Sequence, residues 1–172
     1  MKRYVWAFAS LFILVACTDE SPIDQQQSMQ VIEQGTIGFE VASGTIEEAT
    51  GVPAQDKDAL IRSFEEYIAA FNEKDIQRYS ATLSKHPKGF DYEEDRAAAE
   101  SAFETYDIER VAKDITIVKY LGDEAHVYAN LSITTTEIDT GAALSSNGRQ
   151  VTVFIREEDE WKVSSVYYIG HD

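Results

Sequence analysis

Apolar and polar positions alternate most regularly between Asp123 and Gly170. Ala125, Val127, Ala129, Leu131 and Ile133 alternate with His126, Tyr128, Asn130, Ser132 and Thr134. Val151, Val153 and Ile155 are set against Thr152, Phe154 and Arg156, and in the last run Trp161, Val163, Ser165, Tyr167 and Ile169 share one side. A period of two predicts strands with one oily face each. Gly141 falls in the first hairpin loop, and Glu157 to Glu160 closes the last. On this pattern the valines of the middle strand look inward. Tyr128, Phe154 and His126 look outward, where large side chains suggest a partner surface or a homodimer through the outer sheet face.

An oily sheet face needs a cover, and the segments upstream have a helical period. Leu60, Phe64, Ile68 and Phe71, with Ile61 and Tyr67 beside them, make one apolar stripe. Asp56 or Asp58, just after Pro53, is the expected N-cap. Asn72-Glu73-Lys74-Asp75 breaks the helix, and Asp75 caps a second one whose inner face carries Ile76, Tyr79 and Leu83. Ser84 to Gly89 reads as a loop. A third helix is expected from about Tyr92 to Tyr106, with Ala99, Phe103 and Tyr106 on one side, and the chain then turns to strand from Ile108. Helices followed by an antiparallel sheet make an α+β domain, expected over residues 56–172.

The amino terminus follows another logic. Met1-Lys2-Arg3 is a short positive segment, and the apolar run Val5 to Val15 falls short of the roughly 20 residues a spanning helix needs. Leu14-Val15-Ala16-Cys17 resembles a bacterial lipobox, and Cys17 is the single cysteine of the chain. The expectation is a signal peptide over 1–16 and lipidation of Cys17, with acyl chains such as palmitate holding the protein to the lipid bilayer. A single chain binds only marginally, whereas two or more anchor stably. The location implied is the extracytoplasmic side of a cell membrane, or the outer membrane in a Gram-negative host. Residues 17–55, polar and carrying Gln25-Gln26-Gln27, read as a flexible tether, with a short strand or arm at 36–42. A net charge of −16 argues against nucleic acid as a partner and favours a solvated surface.

Two stretches carry a family resemblance. Tyr67-Ile68-Ala69-Ala70-Phe71-Asn72-Glu73-Lys74-Asp75-Ile76 resembles the first-helix signature of the nuclear transport factor 2-like superfamily, and Glu160-Trp161-Lys162-Val163 resembles its terminal strand. The resemblance implies a cone, a curved sheet wrapped around the first helix with a pocket at its open end. It also points to the SnoaL- and ketosteroid isomerase-like branch. There a tyrosine donates to a developing enolate, an aspartate shuttles the proton and a second acid completes the oxyanion hole. The signatures put Tyr67 on the tyrosine and Asp91 on the aspartate. The second acid falls near Val153, which cannot donate a hydrogen bond.

Other chemistry finds no support in the residues. His86, His126 and His171 are not at a ligand spacing, so no metal site is expected, and no phosphate-binding Gly-rich loop or G-x-S-x-G turn calls for a cofactor or a serine nucleophile. The expected function is therefore a lipid-anchored module that binds a small apolar ligand or a protein without turning it over. Tyr67, Phe71, Tyr79, Trp161 and Tyr167 would line the pocket. The alternative is an isomerase- or dehydratase-like enzyme using Asp91 and Tyr67.

Overall fold

The computed structural model describes residues 46–171. The expected leader, Cys17, most of the tether and the arm at 36–42 lie outside them. Three helices come first: α1 (Ala54–Asn72), α2 (Ile76–Thr82) and α3 (Tyr92–Thr105). Four strands follow, β1 (Tyr106–Tyr120), β2 (Glu124–Glu137), β3 (Ala143–Glu157) and β4 (Glu160–His171), paired antiparallel in chain order. This is the α+β order that the two periodicities imply. Among the described residues, no helix is long and apolar enough to cross a membrane.

The buried stripe of α1, Leu60, Phe64, Tyr67, Ile68 and Phe71, packs with Ala125, Val127, Ala129 and Leu131 of β2 in one hydrophobic cluster. Each fully buried side chain of this size contributes roughly 1.5–3 kcal/mol, so this seam is the main source of stability. The helix stops where Lys74 takes a left-handed φ of 56°. Asp75 then starts α2 by accepting hydrogen bonds from the backbone of Gln77 and Arg78. Asp91 does the same for α3 with Glu93 and Glu94.

The first helix differs from expectation. It begins at Ala54 behind Pro53 with no side-chain cap, because proline at this point already presets the helical entry. Asp56 lies inside the first turn and is free to reach across to the sheet. Its carboxylate takes Arg156 Nη2 at 2.7 Å and the Tyr120 hydroxyl, which joins the helix start to β1 and β3. The Arg156 hydrogen bond, helped by Tyr120, holds the Asp56 carboxyl below its ordinary range. A depressed carboxyl contributes stability that is complete above its unfolded value, about 4, and is lost as pH falls through the folded one. Asp56→Asn is thus expected to be less stable than the parent at pH 7, with the gap closing in acid below about pH 4. Denaturant titrations across that range check this; a gap of constant size at every pH would remove the ion pair from the account.

Irregularities in the pairing bend the sheet and decide which residues face the helices. β1 carries an extra residue between Lys113 and Thr116 and another between Ile117 and Lys119, and such bulges curve a strand. In β4 the partners of Val153 and Phe154 are Ser165 and Val163, which leaves Ser164 as the extra residue. Cross-strand partners share a face. Phe154 pairs with Ala125 and Thr152 with Val127, so both face the core, while Val151 and Val153 share the outer face with Tyr128 and His126. The expected orientation of β3 is therefore reversed. Trp161 and Val163 do look inward, but beyond the Ser164 bulge the sides exchange. Ser165 and Tyr167 pair with Val153 and Val151 on the outer face, and Tyr167 is 37% exposed.

The same bulge receives the loop between α2 and α3. Ser84 donates its backbone N–H to the carbonyl of Val163, and Lys88 and Gly89 donate theirs to that of Ser164, covering part of the free edge of β4. Gly89 passes so close that a Cβ there would stand 2.7 Å from Ser165 Cβ, which no larger residue tolerates without moving the loop.

Candidate functional site

Where α1, α2, α3 and the start of β1 meet, aromatic rings enclose a small polar set. The one-turn spacing of Tyr67 and Phe71 on α1 brings both against Tyr79 of α2, with ring centroids 5.7 and 5.3 Å apart. Phe103 of α3 closes on Phe71 at 4.9 Å, edge to face. The guanidinium of Arg110, from the inner face of β1, lies 3.4 Å from the centroid of Phe71. Its Nη1 approaches the Tyr67 hydroxyl at 3.4 Å. The Tyr79 hydroxyl donates to Asp95 Oδ2 at 2.8 Å.

Asn72 holds the strand that presents Arg110. Its side-chain Nδ2 donates to the Arg110 carbonyl at 2.8 Å, and its Oδ1 accepts the Arg110 N–H at 2.9 Å. An amide is the one short side chain that can satisfy both backbone groups of a single residue. The asparagine of the first-helix signature is thus a structural clamp between α1 and β1.

Burial pushes the Tyr79 phenol upward, and the neighbouring Tyr67 and Asp95 push it further the same way. Tyr79 therefore stays protonated near neutral pH and remains a donor to Asp95. The Tyr67 hydroxyl accepts from Arg110, and a phenol O–H is itself a hydrogen-bond donor. Tyr67, Phe71 and Tyr79 are each only 4–5% exposed, and the half-buried Phe103 and Arg110 are where this set reaches solvent.

The structure brings Tyr67, Phe71 and Tyr79 together here and leaves the other two expected pocket residues elsewhere. Trp161 is buried near the start of α1, edge-on to Tyr120 at 6.4 Å and beneath Arg156 at 4.4 Å. Tyr167 is on the outer sheet face, displaced by the Ser164 bulge. Asp91 does not join Tyr67. It sits exposed at the start of α3, and Oδ1 accepts the N–H groups of Glu93 and Glu94 at 3.0 Å each. A carboxylate held in this way is a helix cap.

Asp95 and Arg110 went unrecognised in the sequence. Asp95 precedes Ala99 and Phe103 by one and two helical turns, so extending that stripe backward would have found it. Arg110 shares its face with Ile108 and Ala112, but no sequence signal marks an inward-facing cation. His126, on the outer face, makes a long contact to Glu124 at 3.3 Å, and burial lowers its basicity. Among the described residues, no three His, Cys, Asp or Glu side chains converge as a metal site would require.

A family model described as "Anti-sigma-I factor RsgI9, C-terminal domain" matches residues 62–169. No curated protein sequence matches the chain. Among solved structures, an aromatic ring hydroxylase candidate of Novosphingobium aromaticivorans is similar with a TM-score of 0.62 at 18% identity, over 70% of this chain and 96% of its own. A dehydratase candidate of the NTF2-like family from Streptomyces avermitilis follows at 0.61 and 16%, over 70% and 99% of the two chains. A Caulobacter vibrioides protein described by its cystatin-like fold scores 0.59 at 13% identity, over 69% and 91%. At such identities the likeness speaks to fold, and the fold is the NTF2-like one that the sequence resemblance implied.

Proposed function

The chain belongs to the family described as the C-terminal domain of the anti-sigma-I factor RsgI9, and from that premise we propose that it is an extracytoplasmic binding module. In this reading an acylated Cys17 holds it to the membrane, and it takes up a small ligand or a protein partner without turning it over. The observation that carries the proposal is the polar set at Arg110. A guanidinium and a phenol donor on an aromatic wall can hold an amphipathic molecule, while the carboxylate at Asp91 that proton shuttling would draw on is committed to a helix cap. The family description ties the domain to an anti-sigma factor, which supports binding over catalysis. Tyr167, 37% exposed on the outer sheet face, belongs to the surface we assign to a second copy of the chain, while Val151 and Val153 beside it are buried.

The test uses anilinonaphthalene sulfonate, an amphipathic aromatic anion, as probe. The native chain should bind it saturably. Arg110→Ala should weaken binding about tenfold or more, since a hydrogen-bonded charge is lost. Asp91→Asn should leave it unchanged, and no β,γ-unsaturated ketone should be isomerised. Isomerisation that disappears in Asp91→Asn, or binding indifferent to Arg110→Ala, would overturn the reading. Anchoring is checked separately: Cys17→Ala should abolish labelling by radioactive palmitate and release the chain from membranes.

A further inference from the structure

A second site lies on another face of α1 from the Arg110 cluster and shares no residue with it. Here α1, α2 and the β3–β4 hairpin enclose an open cleft of about 510 Å³, a volume within the range of small-molecule sites. Most of its charges already have partners. Arg78 makes a two-pronged pair with Glu66 at 2.8 and 2.9 Å, and Lys162 donates to the Ala81 carbonyl at 2.8 Å and pairs with Glu160.

Three lining groups have no such partner among the described residues. The exposed guanidinium of Arg62 and the hydroxyl of Ser63, adjacent on α1, make no hydrogen bond or ion pair, and neither does the carboxylate of Asp159 at the hairpin tip. Trp161 also lines the cleft. Its residue is 3% exposed, and its Nε1–H is buried without an acceptor. A buried donor left unmet costs free energy that an incoming acceptor would recover.

We propose that this cleft binds a small zwitterion, a free amino acid or the end of a short peptide. Its carboxylate is taken by the donors Arg62, Ser63 and Trp161, and its ammonium by Asp159. A guanidinium beside hydroxyl and indole N–H groups suits a planar carboxylate. The unpaired acid, Asp159, selects a ligand that also carries positive charge, and it disfavours simple anions.

The indole N–H of Trp161 reports on this directly. In a spectrum of the full-length chain its resonance is assigned by disappearance in Trp161→Phe, a change that keeps an aromatic ring in the core. Titration with alanine and with trialanine, each at millimolar concentration, should move that resonance saturably for at least one of them. Preference for one or the other separates a free amino acid from a peptide terminus. The corresponding carboxamides should fail to do so. Arg62→Ala, a surface change that leaves the fold intact, should weaken binding about tenfold or more. In Trp161→Phe, the Ser63 amide resonance should report weakened binding as well. No saturable shift with either acid, equal binding of the amides, or an unchanged dissociation constant in Arg62→Ala would each overturn the proposal. Loss of anilinonaphthalene sulfonate binding at Arg110 would leave it untouched.

Discussion

Phe154→Ala is expected to lower stability by about 3–5 kcal/mol, the range for deleting a fully buried aromatic ring and leaving a cavity. Phe154 is 0% exposed in the cluster that includes Ala125, Trp161 and Val163. Sequence alternation alone would place it on the outer face, away from this cluster. Tyr167→Ala is the matched control. Its side chain is 37% exposed on the outer face, so its removal should cost no more than about 0.5–1 kcal/mol. Urea unfolding of the two variants beside the parent decides the matter. If the order of the two effects were reversed, the orientation of β3 and the Ser164 bulge would both be wrong.

Asn72→Ala should cost roughly 2–3 kcal/mol, because one truncation leaves two partly buried backbone groups of Arg110 without partners. Asn72→Asp separates the two bonds. A carboxylate can still accept the Arg110 N–H but cannot donate to the carbonyl, so its stability should fall between those of the parent and the alanine variant. Because the clamp also sets the position of the Arg110 side chain, both variants should weaken probe binding in the same order. Urea midpoints and probe affinity measured together check this. Equal stability of all three proteins would mean that β1 keeps its place without the clamp.

Much of the architecture was legible in residue order. The stripe from Leu60 to Phe71, the break at Lys74, the cap at Asp75 and the hairpin at Glu157 to Glu160 are all found where periodicity and turn chemistry put them. Of the candidate site, Tyr67, Phe71 and Tyr79 were recognisable as inward-facing. Their polar companions were not. Asp91 carries a helix-start signature that reads as well for a cap as for a catalytic acid, and Asp95, one turn later, stands out from its acidic run only when the stripe of Ala99 and Phe103 is extended backward.

What the sequence determined alone is what depends on near neighbours: helix stripes, caps and turns, each fixed by spacings of three, four or two residues. What tertiary structure decided is the side of the sheet on which β3 and the far half of β4 present their residues. It also decided that Asp95 and Arg110 meet the two tyrosines. The middle strand carries large apolar side chains on both faces, Phe154 on one and Val151 and Val153 on the other, so its own pattern expresses no preference. Pairing with β2 chose the face, and a single extra residue at Ser164 exchanged the sides of β4. A strand's side chains alternate with a period of two, so one such residue is enough to turn every later one over.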